Sequence, residues 1–391
     1  MSRKKKALIL TNQSGFLWKF ELDNVRLLQK LGYEVHYASN SAEEGYYYDP
    51  EELKNMGVIY HDIEVSRSPY ALKMNYRALK DVIKLINDEQ IDLIHCHTPV
   101  GGLLGRLAGV FCGKKPKVIY TAHGFHFYKG APFINNHLYE LVERVLAWFT
   151  DVMILINSED YQKAQSFHLR KNGKIFLVPG VGIDRTIFCP ATRQEKLEKR
   201  KEIGIAEDTF FALSVGELNK NKNHATVIKA ISKMCKKNPD INITYGICGD
   251  GFFREEIIQF AKDIGVEDKV RFFGYKCNIR DYYAAADVTV FPSRREGLGM
   301  VGLESLSMGI PVIAANNRGT REYMRNGMNG YICKYDDVDG YIDGIMNIVD
   351  MPDEDLQKMS DCCIASVKPF LREKSNKAMS KIYGEIDQGV R

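Results

Sequence analysis

The sequence predicts an α/β protein of two domains, each with a parallel, doubly wound sheet, from three observations. The chain has 391 residues, more than one hydrophobic core usually serves. Short apolar runs alternate with helical patterns through both halves. This alternation breaks once, around residues 178–184, where Pro and Gly cluster. We therefore predict a first domain over 1–184, a second over 185–368, and a C-terminal helix over 369–391 that returns to the first domain.

The first domain alternates strands with three helices. Helix 18–31 ends before Gly32, a residue typical of helix C-termini. The apolar positions of helix 76–87 follow a 3.6-residue period, at Leu79, Val82, Ile83 and Ile86. The predicted strands are 7–10, 34–38, 93–95, 118–121 and 152–156, and the third helix is 136–149.

The second domain begins with a polar helix at 193–203 and then repeats the alternation. Its predicted strands are 210–215, 242–248, 270–273, 288–291 and 311–314. Its further helices are 225–236, 254–264, 279–285, 300–308 and 320–325. In such an architecture ligands bind at the carboxyl ends of the strands, so we expect a site in the cleft between the two sheets.

Composition excludes several classes of protein. A content of 45% hydrophobic and 27% charged residues is that of an ordinary globular protein. With 54 basic and 50 acidic side chains the net charge is +4, too mild to argue for nucleic acid. Basic residues cluster at 3–6 and 114–117. Such clusters either form a solvated face or attract an anionic membrane surface.

The cysteines and the apolar runs indicate the cellular compartment of the protein. Nine scattered cysteines, without CxxC or Cys/His spacing, indicate neither a disulfide framework nor a zinc site and fit reduced thiols in the cytoplasm. No run reaches the ~18 apolar residues of a membrane span. We therefore expect a cytoplasmic protein whose membrane contact, if it has one, is peripheral.

The most informative segment runs from Pro292 to Glu304. A strand ends, a Gly-containing turn follows, and a helix starts near Met300. The free N–H groups and positive dipole of a helix N-terminus suit a diphosphate without a metal ion. Glu304, one turn inside the helix, is placed to accept bonds from ribose hydroxyls, and Glu296 lies before the turn. Alternatively, both glutamates are surface residues beside an ordinary turn.

Glu296 and Glu304 together resemble the E-x7-E motif of retaining family 4 glycosyltransferases, whose GT-B architecture has two Rossmann-like domains facing a central cleft. The resemblance continues through residues 305–314 and 326–330, and the aromatic loop at 123–132 is similar to that of bacterial capsule and exopolysaccharide members. It implies that Glu304 binds the ribose and that Glu296, as a catalytic residue, lies by the donor sugar and pyrophosphate. It also implies donor contacts by the intervening turn: Gly297, Leu298, Gly299, Met300 and Val301.

Two glycine-bearing loops add to the resemblance. In the loop 214–224, Lys222 matches the family's phosphate-binding lysine, whereas Glu217 stands where the family has an arginine. A carboxylate repels a diphosphate, so we expect the phosphate charge to be met by Lys222, helix N-termini and, as a further candidate, Lys220. In the loop 10–16, Gly15 allows close approach of the backbone to a phosphate, although a lone glycine is often only a turn.

His123 follows a strand and enters a loop rich in Gly and aromatic residues. A histidine is often a satisfied core residue, but here the strand has ended and small residues flank the ring. The resemblance implies that His123 contacts and positions the donor hexose. His95 and His97 could also suggest a metal, but without a third ligand in the sequence we favour a structural role and predict no metal site.

The predicted function is that of a metal-independent, retaining glycosyltransferase. It would move a hexose or N-acetylhexosamine from a UDP-sugar to a glycan acceptor, one carried on a polyprenyl diphosphate, in capsule or exopolysaccharide biosynthesis. The resemblance implies front-face attack, with the donor phosphate taking the acceptor proton. We predict UDP as the nucleotide of the donor because most similar enzymes use it, and GDP is the alternative. No cofactor beyond the nucleotide-sugar and no nucleic-acid partner are expected.

Helix 136–149 and the lysines at 114–117 could form an apolar, basic surface for such a lipid-linked acceptor and for peripheral contact with the inner membrane face. We nevertheless expect the helix to pack most of its apolar side on the sheet. Three other functions compete: a nucleotide-sugar epimerase of the same fold, an NAD-dependent dehydrogenase and a non-catalytic nucleotide-sugar sensor. Residues 246–251 read GxxGxG rather than GxGxxG, which disfavours the dehydrogenase.

Overall fold

A computed structural model describes residues 3–43, 49–128 and 133–389, except for the side chain of residue 135. The chain forms two compact units, Met1–Gly182 with Arg372–Arg391, and Ile183–Leu371. The first break lies beside the predicted boundary at 184, and the return to unit 1 begins at Arg372 rather than at 369. Residues 129–132 of the predicted aromatic loop lie outside the described residues.

Unit 1 is built on a seven-stranded parallel sheet of order β3-β2-β1-β4-β5-β6-β7. Its strands are β1 Lys6–Leu10, β2 Glu34–Ser39, β3 Val58–Asp62, β4 Leu93–His97, β5 Lys117–Ala122, β6 Val152–Leu155 and β7 Lys174–Leu177. Its helices are α1 Leu22–Lys30, α2 Pro50–Asn55, α3 Leu72–Glu89, α4 Pro99–Phe111, α5 Phe133–Ala147 and α6 Ser158–Ala164. A π-helical turn, Leu17–Glu21, precedes α1.

Unit 2 is built on a six-stranded parallel sheet of order β10-β9-β8-β11-β12-β13. Its strands are β8 Phe210–Val215, β9 Ile243–Cys248, β10 Val270–Gly274, β11 Val288–Phe291, β12 Val312–Ala315 and β13 Gly330–Cys333. Its helices are α7 Arg193–Ile203, α8 His224–Lys237, α9 Arg254–Asp263, α10 Ile279–Ala285, α11 Met300–Ser307, α12 Val338–Val349 and α13 Asp353–Ser366. The helix predicted at 320–325 is a single 3₁₀ turn, Thr320–Glu322.

The last helix, α14 (Arg372–Gly389), belongs to unit 1. The hydroxyl of its buried Tyr383 lies 2.7 Å from Nδ1 of His95 on β4. Two ion pairs join it to other parts of unit 1, from Lys5, just before β1, to Asp387 at 2.7 Å and from Lys174 on β7 to Glu385 at 2.7 Å. The last helix therefore packs against elements from the beginning, the middle and the end of the first sheet.

Helix α4 was not predicted because its sequence carries four glycines, which disfavour helix formation. Three of these glycines face the sheet. A Cβ at Gly102 would lie 2.3 Å from the Tyr120 ring, one at Gly105 would lie 2.6 Å from Cβ of Cys96, and one at Gly109 would lie 2.6 Å from Val118. Close packing between helix and sheet thus compensates for low helix propensity.

Helix α5 contradicts the expectation that its apolar side covers the sheet. Its inward side instead carries Glu143, which accepts hydrogen bonds from the fully buried Arg106 at 2.7 and 3.2 Å. Most of its large apolar side chains point outward, with exposures from 38% for Val142 to 78% for Ile134, whereas Leu146 is buried. This exposed stripe consists of Phe133, Ile134, Leu138, Leu141, Val142, Val145 and Trp148. An ion pair thus occupies the inward side and leaves the apolar residues uncovered within unit 1.

Among the described residues, no helix combines the length and the apolar content that crossing a membrane requires.

Candidate functional site

Lys222 and Glu296 form an ion pair in unit 2, with Nζ 2.7 Å from Oε1. Both side chains are mostly buried, and Nζ of Lys222 also lies 5.4 Å from the centroid of the Phe291 ring. Gly216, at the end of β8, packs against the lysine stem, where an added Cβ would lie 3.2 Å from Cδ and Cε. The sequence predicted both residues, and the structure adds that they are in direct contact.

The loops that carry this pair are joined by hydrogen bonds. Asn221 donates from Nδ2 to the carbonyl of Arg295 at 2.9 Å, and Arg294 N–H donates to the carbonyl of Asn221 at 2.8 Å. Because β8 and β11 are neighbours in a parallel sheet, these loops leave the same edge. The lysine and the glutamate are therefore held by backbone contacts and not by their own ion pair alone.

The turn before α11 and the first turn of that helix each need a glycine. Gly299 caps α11 with φ +87°, a left-handed conformation that side chains rarely adopt. The hydroxyl of Tyr323 donates to the Gly299 carbonyl at 2.9 Å, and an added Cβ at Gly302 would lie 2.3 Å from that hydroxyl. Among the residues that the structure describes, no side chain caps the N-terminus of α11, so this end of the helix suits an anion.

Glu304 lies in α11 and is oriented by Tyr283 of α10. The Tyr283 hydroxyl lies 3.0 Å from Oε2 of Glu304 and 3.2 Å from the carbonyl of Val301. Burial and the Glu304 carboxylate raise the pKa of Tyr283 well above its ordinary value, so the hydroxyl stays protonated and can donate. Sequence reasoning missed Tyr283, because nothing in the chain signals that α10 packs beside α11.

Lys220 and Glu217 are both exposed in the loop after β8. Nζ of Lys220 lies 5.2 Å from the Phe253 ring. Among the described residues, neither side chain has a contact with Lys222 or Glu296. A cation that the sequence reasoning missed, Arg318, is 5% exposed and donates from Nε to the carbonyl of Glu296 at 3.4 Å.

In unit 1, His123 follows β5 and meets His97 at the end of β4. Nδ1 of His97 and Nε2 of His123 lie 3.1 Å apart, and the Phe16 ring packs edge-on to His123 at 5.2 Å. Burial lowers the pKa of His123 to about 4, so the imidazole is neutral at pH 7. His123 lines a cavity of about 30 Å³ together with Glu21, Thr121, Gly180, Ser375 and Met379.

Gly15 lies in a buried turn between β1 and the π-helical turn. The hydroxyl of Tyr37 on β2 fixes this turn by donating to the carbonyls of Gln13 at 2.6 Å and Ser14 at 2.9 Å. The turn leads directly to Phe16, the residue that contacts His123. Sequence reasoning missed Tyr37, whose hydroxyl is buried within unit 1.

A third group, Glu21, accompanies His97 and His123, which the sequence interpretation did not identify, and the predicted absence of a metal site stays a prediction. Glu21, His97 and His123 offer ligand atoms that lie within 4.8 Å of one another. One carboxylate and two imidazoles form a donor set suited to zinc or another transition metal. His95 is separate, since its two ring nitrogens bond to Tyr383 at 2.7 Å and Thr121 at 2.8 Å. The signal for Glu21 was present, because it falls on the helical period of the buried Leu17, Val25 and Leu28.

Two family profiles match the chain. The profile described as Glycosyl transferase 4-like matches residues 6–157, and the profile described as Glycosyl transferases group 1 matches residues 195–362. The first range includes His123, and the second includes Lys222, Glu296 and Glu304. Both groups of candidate residues therefore fall within matched ranges.

Relatives match most of the chain. The EpsD protein of Bacillus subtilis (strain 168) is 36% identical over 334 residues, which cover 85% of this chain and 84% of that protein. The UDP-Gal:alpha-D-GlcNAc-diphosphoundecaprenol alpha-1,3-galactosyltransferase of Escherichia coli is 28% identical over 294 residues, 75% of each chain.

Solved structures share the fold. The structure of HepE from Anabaena, in complex with UDP and glucose, has a TM-score of 0.78 at 17% identity and covers 98% of this chain and 100% of its own. Sucrose-phosphate synthase from Thermosynechococcus elongatus has a TM-score of 0.79 at 18% identity, covering 99% and 100%. Together with the two parallel sheets, these similarities confirm the predicted architecture of two Rossmann-like domains.

Proposed function

We propose a specific transfer reaction for this chain, which belongs to the group 1 family of glycosyltransferases. In this reaction a hexose or N-acetylhexosamine moves from a UDP-sugar, with retained anomeric configuration, to a glycan carried on a polyprenyl diphosphate. The name of the Escherichia coli relative, with a UDP-sugar donor and a diphosphoundecaprenol acceptor, supports this choice. The observation that carries the proposal is the Lys222–Glu296 pair beside the N-terminus of α11.

Departure of the nucleoside diphosphate leaves negative charge on its oxygens, and stabilising this charge is the main electrostatic task of the enzyme. Lys222 supplies a cation, and the uncapped N-terminus of α11 supplies amide donors. Glu304, held by Tyr283, is oriented to accept bonds from ribose hydroxyls. The hexose contact is assigned to His123, as the resemblance implies.

Arg318 is our candidate for the second phosphate cation. Glu217 stands where the family has an arginine, and it is exposed. Arg318 reaches the same turn from the loop after β12, with Nε 3.4 Å from the carbonyl of Glu296. A planar guanidinium bonds a phosphate bidentately, so Arg318 would replace the missing charge from another part of unit 2.

In this proposal the anomeric configuration is retained because the acceptor hydroxyl attacks the same face of the sugar from which the diphosphate leaves. The acceptor hydroxyl forms the new C–O bond, the C–O bond to the phosphate breaks, and the hydroxyl proton passes to the departing phosphate oxygen. No protein nucleophile takes part. We propose that these steps need no metal ion.

The exposed stripe of α5 is proposed to contact the membrane that holds the lipid-linked acceptor. The carboxylates of α5 are in ion pairs, Glu143 with the buried Arg106 and Glu140 with Arg144 and Lys163. Apolar residues therefore face outward over most of the length of the helix. Large exposed apolar patches mark interaction surfaces, and an apolar helix face suits the interface of a bilayer.

The reaction is tested with a panel of UDP-, GDP- and ADP-sugars and a short polyprenyl-diphosphate-linked saccharide, followed by NMR. We expect acceptor-dependent release of UDP and a product with the donor's anomeric configuration, with activity unchanged in EDTA. Inversion would contradict front-face attack, and recovery by manganese after EDTA would contradict metal independence. Donor conversion without acceptor would instead identify an epimerase.

The membrane contact is tested by co-sedimentation with phosphatidylglycerol-containing vesicles. We expect the native protein to bind and a variant with Leu138→Ser, Leu141→Ser and Trp148→Ser to lose binding. Phe252→Ser, at a residue of unit 2 that is 94% exposed, is the matched control and should bind like the native protein. Failure of the native protein to sediment with the vesicles would exclude the proposed contact.

A further inference from the structure

Helix α3 exposes a surface that is both basic and apolar. Residues 65–80 include four lysines and arginines and no aspartate or glutamate. Three of these cations lie on the exposed side of α3, each three or four residues after the one before it, and two large apolar residues lie beside them. We call this surface the α3 face, and it consists of Leu72, Lys73, Tyr76, Arg77 and Lys80.

The cations of the α3 face have no acidic partner in the part of the chain that the structure describes. None of the three forms an ion pair, although the exposed Asp81 follows directly in sequence. Nζ of Lys80 lies 4.6 Å from the centroid of the Tyr76 ring, so cation and ring share one surface. Leu72 is 75% exposed and Tyr76 is 58% exposed. An anion attached to an apolar chain is therefore the kind of ligand that this face suits.

Other basic clusters of unit 1 are largely neutralised. Five basic residues of the clusters at 3–6 and 114–117 pair with carboxylates at distances from 2.6 to 3.2 Å: Arg3 and Lys114 with Asp92, Lys5 with Asp387, Lys6 with Glu89, and Lys117 with Asp151. The uncompensated charge of the α3 face is therefore a local property of this helix and does not simply reflect the mild net charge of the chain.

Topology relates the α3 face to His123. Helix α3 follows β3 and His123 follows β5, and the parallel strands of a sheet end at the same edge. The strand order β3-β2-β1-β4-β5 puts four strand spacings between these two ends. Neighbouring strands lie ~4.8 Å apart, so β3 and β5 end about 19 Å from each other. A ligand that reaches from the α3 face to His123 has to span at least this distance.

The α3 face also belongs to the same layer of helices as the exposed stripe of α5. The connections from β3 to β4, from β4 to β5 and from β5 to β6 advance in one direction along the sheet. Right-handed crossovers therefore place α3, α4 and α5 on one face of the sheet. Helix α3 packs against α4, and α4 packs against α5. The surface proposed to contact the membrane and the α3 face thus lie on one side of unit 1.

We propose that the α3 face binds the diphosphate of a polyprenyl-diphosphate-linked acceptor, with its three cations bonding the phosphate oxygens and its apolar side chains contacting the first isoprene units. The acceptor saccharide then spans the distance to His123. The identity of the acceptor rests on the proposed function, whereas binding of a polyprenyl diphosphate to α3 does not. The acceptor named for the Escherichia coli relative carries one GlcNAc on its diphosphate, and the span in this chain calls for a longer saccharide.

Titration with farnesyl diphosphate, a water-soluble polyprenyl diphosphate, tests the site without a transfer reaction. Calorimetry is done with excess UDP, which occupies the proposed donor site in unit 2. We expect about 10-fold weaker binding, the effect of three exposed charge contacts, in an α3 variant with Lys73→Gln, Arg77→Gln and Lys80→Gln. A control variant loses the same charge from exposed lysines of α8 and should bind like native protein; it carries Lys229→Gln, Lys236→Gln and Lys237→Gln.

Several results would overturn this site. One is a native protein that does not bind farnesyl diphosphate, and another is equal affinity in native protein and α3 variant. Neutral farnesol should bind native protein and α3 variant equally, so a 10-fold loss with farnesol as well would rule out recognition of the diphosphate. If the α3 variant keeps its affinity for farnesyl diphosphate and loses only binding to phosphatidylglycerol vesicles, the α3 face is a membrane contact and the proposal is wrong.

Transfer to acceptors of different length tests the span. An acceptor with one sugar cannot reach His123 while its diphosphate stays on α3, so native kcat/KM should rise about 10-fold when the saccharide is lengthened to several sugars. The α3 variant should lack this rise, and saccharides on a neutral alkyl chain should serve both proteins equally. A rate that does not depend on length would contradict the span. Absence of transfer to any diphosphate-linked saccharide would contradict the proposed acceptor instead, and the farnesyl diphosphate titration would still decide the site.

Discussion

Two glutamates, one in each unit, have opposite surroundings. Glu296 in unit 2 is partly buried and has Nζ of Lys222 at 2.7 Å from its Oε1. Glu21 in unit 1 has an amide and a histidine as neighbours and a pKa raised to about 8. Unit 2 therefore presents charge, which suits a diphosphate, and unit 1 presents neutral donors and acceptors, which suit hydroxyl groups. The difference shows how the neighbours of a glutamate change what its carboxyl group offers to a ligand.

The largest effect is expected from removing the cation of unit 2. Lys222→Ala should lower kcat/KM for the donor about 100- to 1,000-fold, because the departing diphosphate loses a charged partner and Glu296 is left without its cation. The steady-state rate of UDP release at varied donor concentration measures this kcat/KM. Lys229→Ala, which removes an exposed lysine of α8, is the control and should change the rate little. An equal loss in both variants would contradict a specific role for Lys222.

The next largest effect is the pH dependence of stability that the buried Glu21 carboxyl group of unit 1 causes. The pKa of Glu21 is about 8 in the folded protein, against an ordinary value of 4.5. Between these values the folded state holds a proton that the unfolded state has lost, so stability falls as pH rises through this window. Glu21→Gln removes that dependence. We expect the stability of the variant relative to native protein to rise with pH, by up to about 1.4 kcal/mol per unit.

Urea denaturation at pH 5, 6, 7 and 8 measures this difference. The histidines act in the other direction, since burial lowers the pKa of His95 to about 3 and of His123 to about 4. The stability they contribute is present above their ordinary pKa of 6.5 and is lost as the pH falls toward the folded values. Both proteins share these histidines, so their effect largely cancels in the comparison. A difference between variant and native protein that does not vary with pH would show that Glu21 is ionised throughout.

A smaller effect is expected at Glu304. Tyr283→Phe keeps the ring and removes the hydroxyl that lies 3.0 Å from the Glu304 carboxylate. The carboxylate then loses its orientation, and we expect the donor KM to rise about 5-fold with kcat nearly unchanged, the effect of one hydrogen bond. Tyr282→Phe, at the neighbouring position, is the control. A change in kcat alone would place Tyr283 in the chemical step instead.

The smallest effect sharpens the contrast between the two glutamates. Lys222 is paired with Glu296 in this structure, so on the proposed function a phosphate would have to compete with the Glu296 carboxylate for Lys222. Glu296→Gln removes this competing anion, so we expect UDP to bind a few-fold more tightly while turnover decreases. Isothermal titration with UDP measures the affinity, and Glu267→Gln, at an exposed position, is the control. Weaker UDP binding would indicate that Glu296 orients Lys222 rather than competing with phosphate.

Regular periodicity made much of the fold predictable from sequence. Helix α7 and strand β8 have the predicted bounds. Helix α7 is a run of strong helix formers between the capping residues Thr192 and Gly204, and β8 is a short apolar run that is buried in the sheet. Helix α4 was missed because its glycines lower helix propensity, and only the nearby Tyr120 and Cys96 show why small residues are needed there. The predicted orientation of α5 was wrong. Its Glu143 faces inward because it pairs with the buried Arg106, which belongs to another helix.

The candidate site was predictable residue by residue but not in its contacts. Lys222, Glu296, Glu304 and His123 were identified from strand ends and from the resemblance. Their partners Tyr283, Arg318 and Glu21 lie far from them in sequence and are brought near by packing between elements. Such partners decide the charge state of a site, and single-chain patterns do not encode them.

The position of α14 bears on how the protein folds during synthesis. Ser375 of this helix bonds to the Gly180 carbonyl, and Ser375 and Met379 form part of the cavity that His123 lines. These residues leave the ribosome after all of unit 2 has been made. A nascent chain can therefore complete the sheet of unit 2 before Tyr383 is available to bond to His95. Unit 1 consequently completes its packing after unit 2.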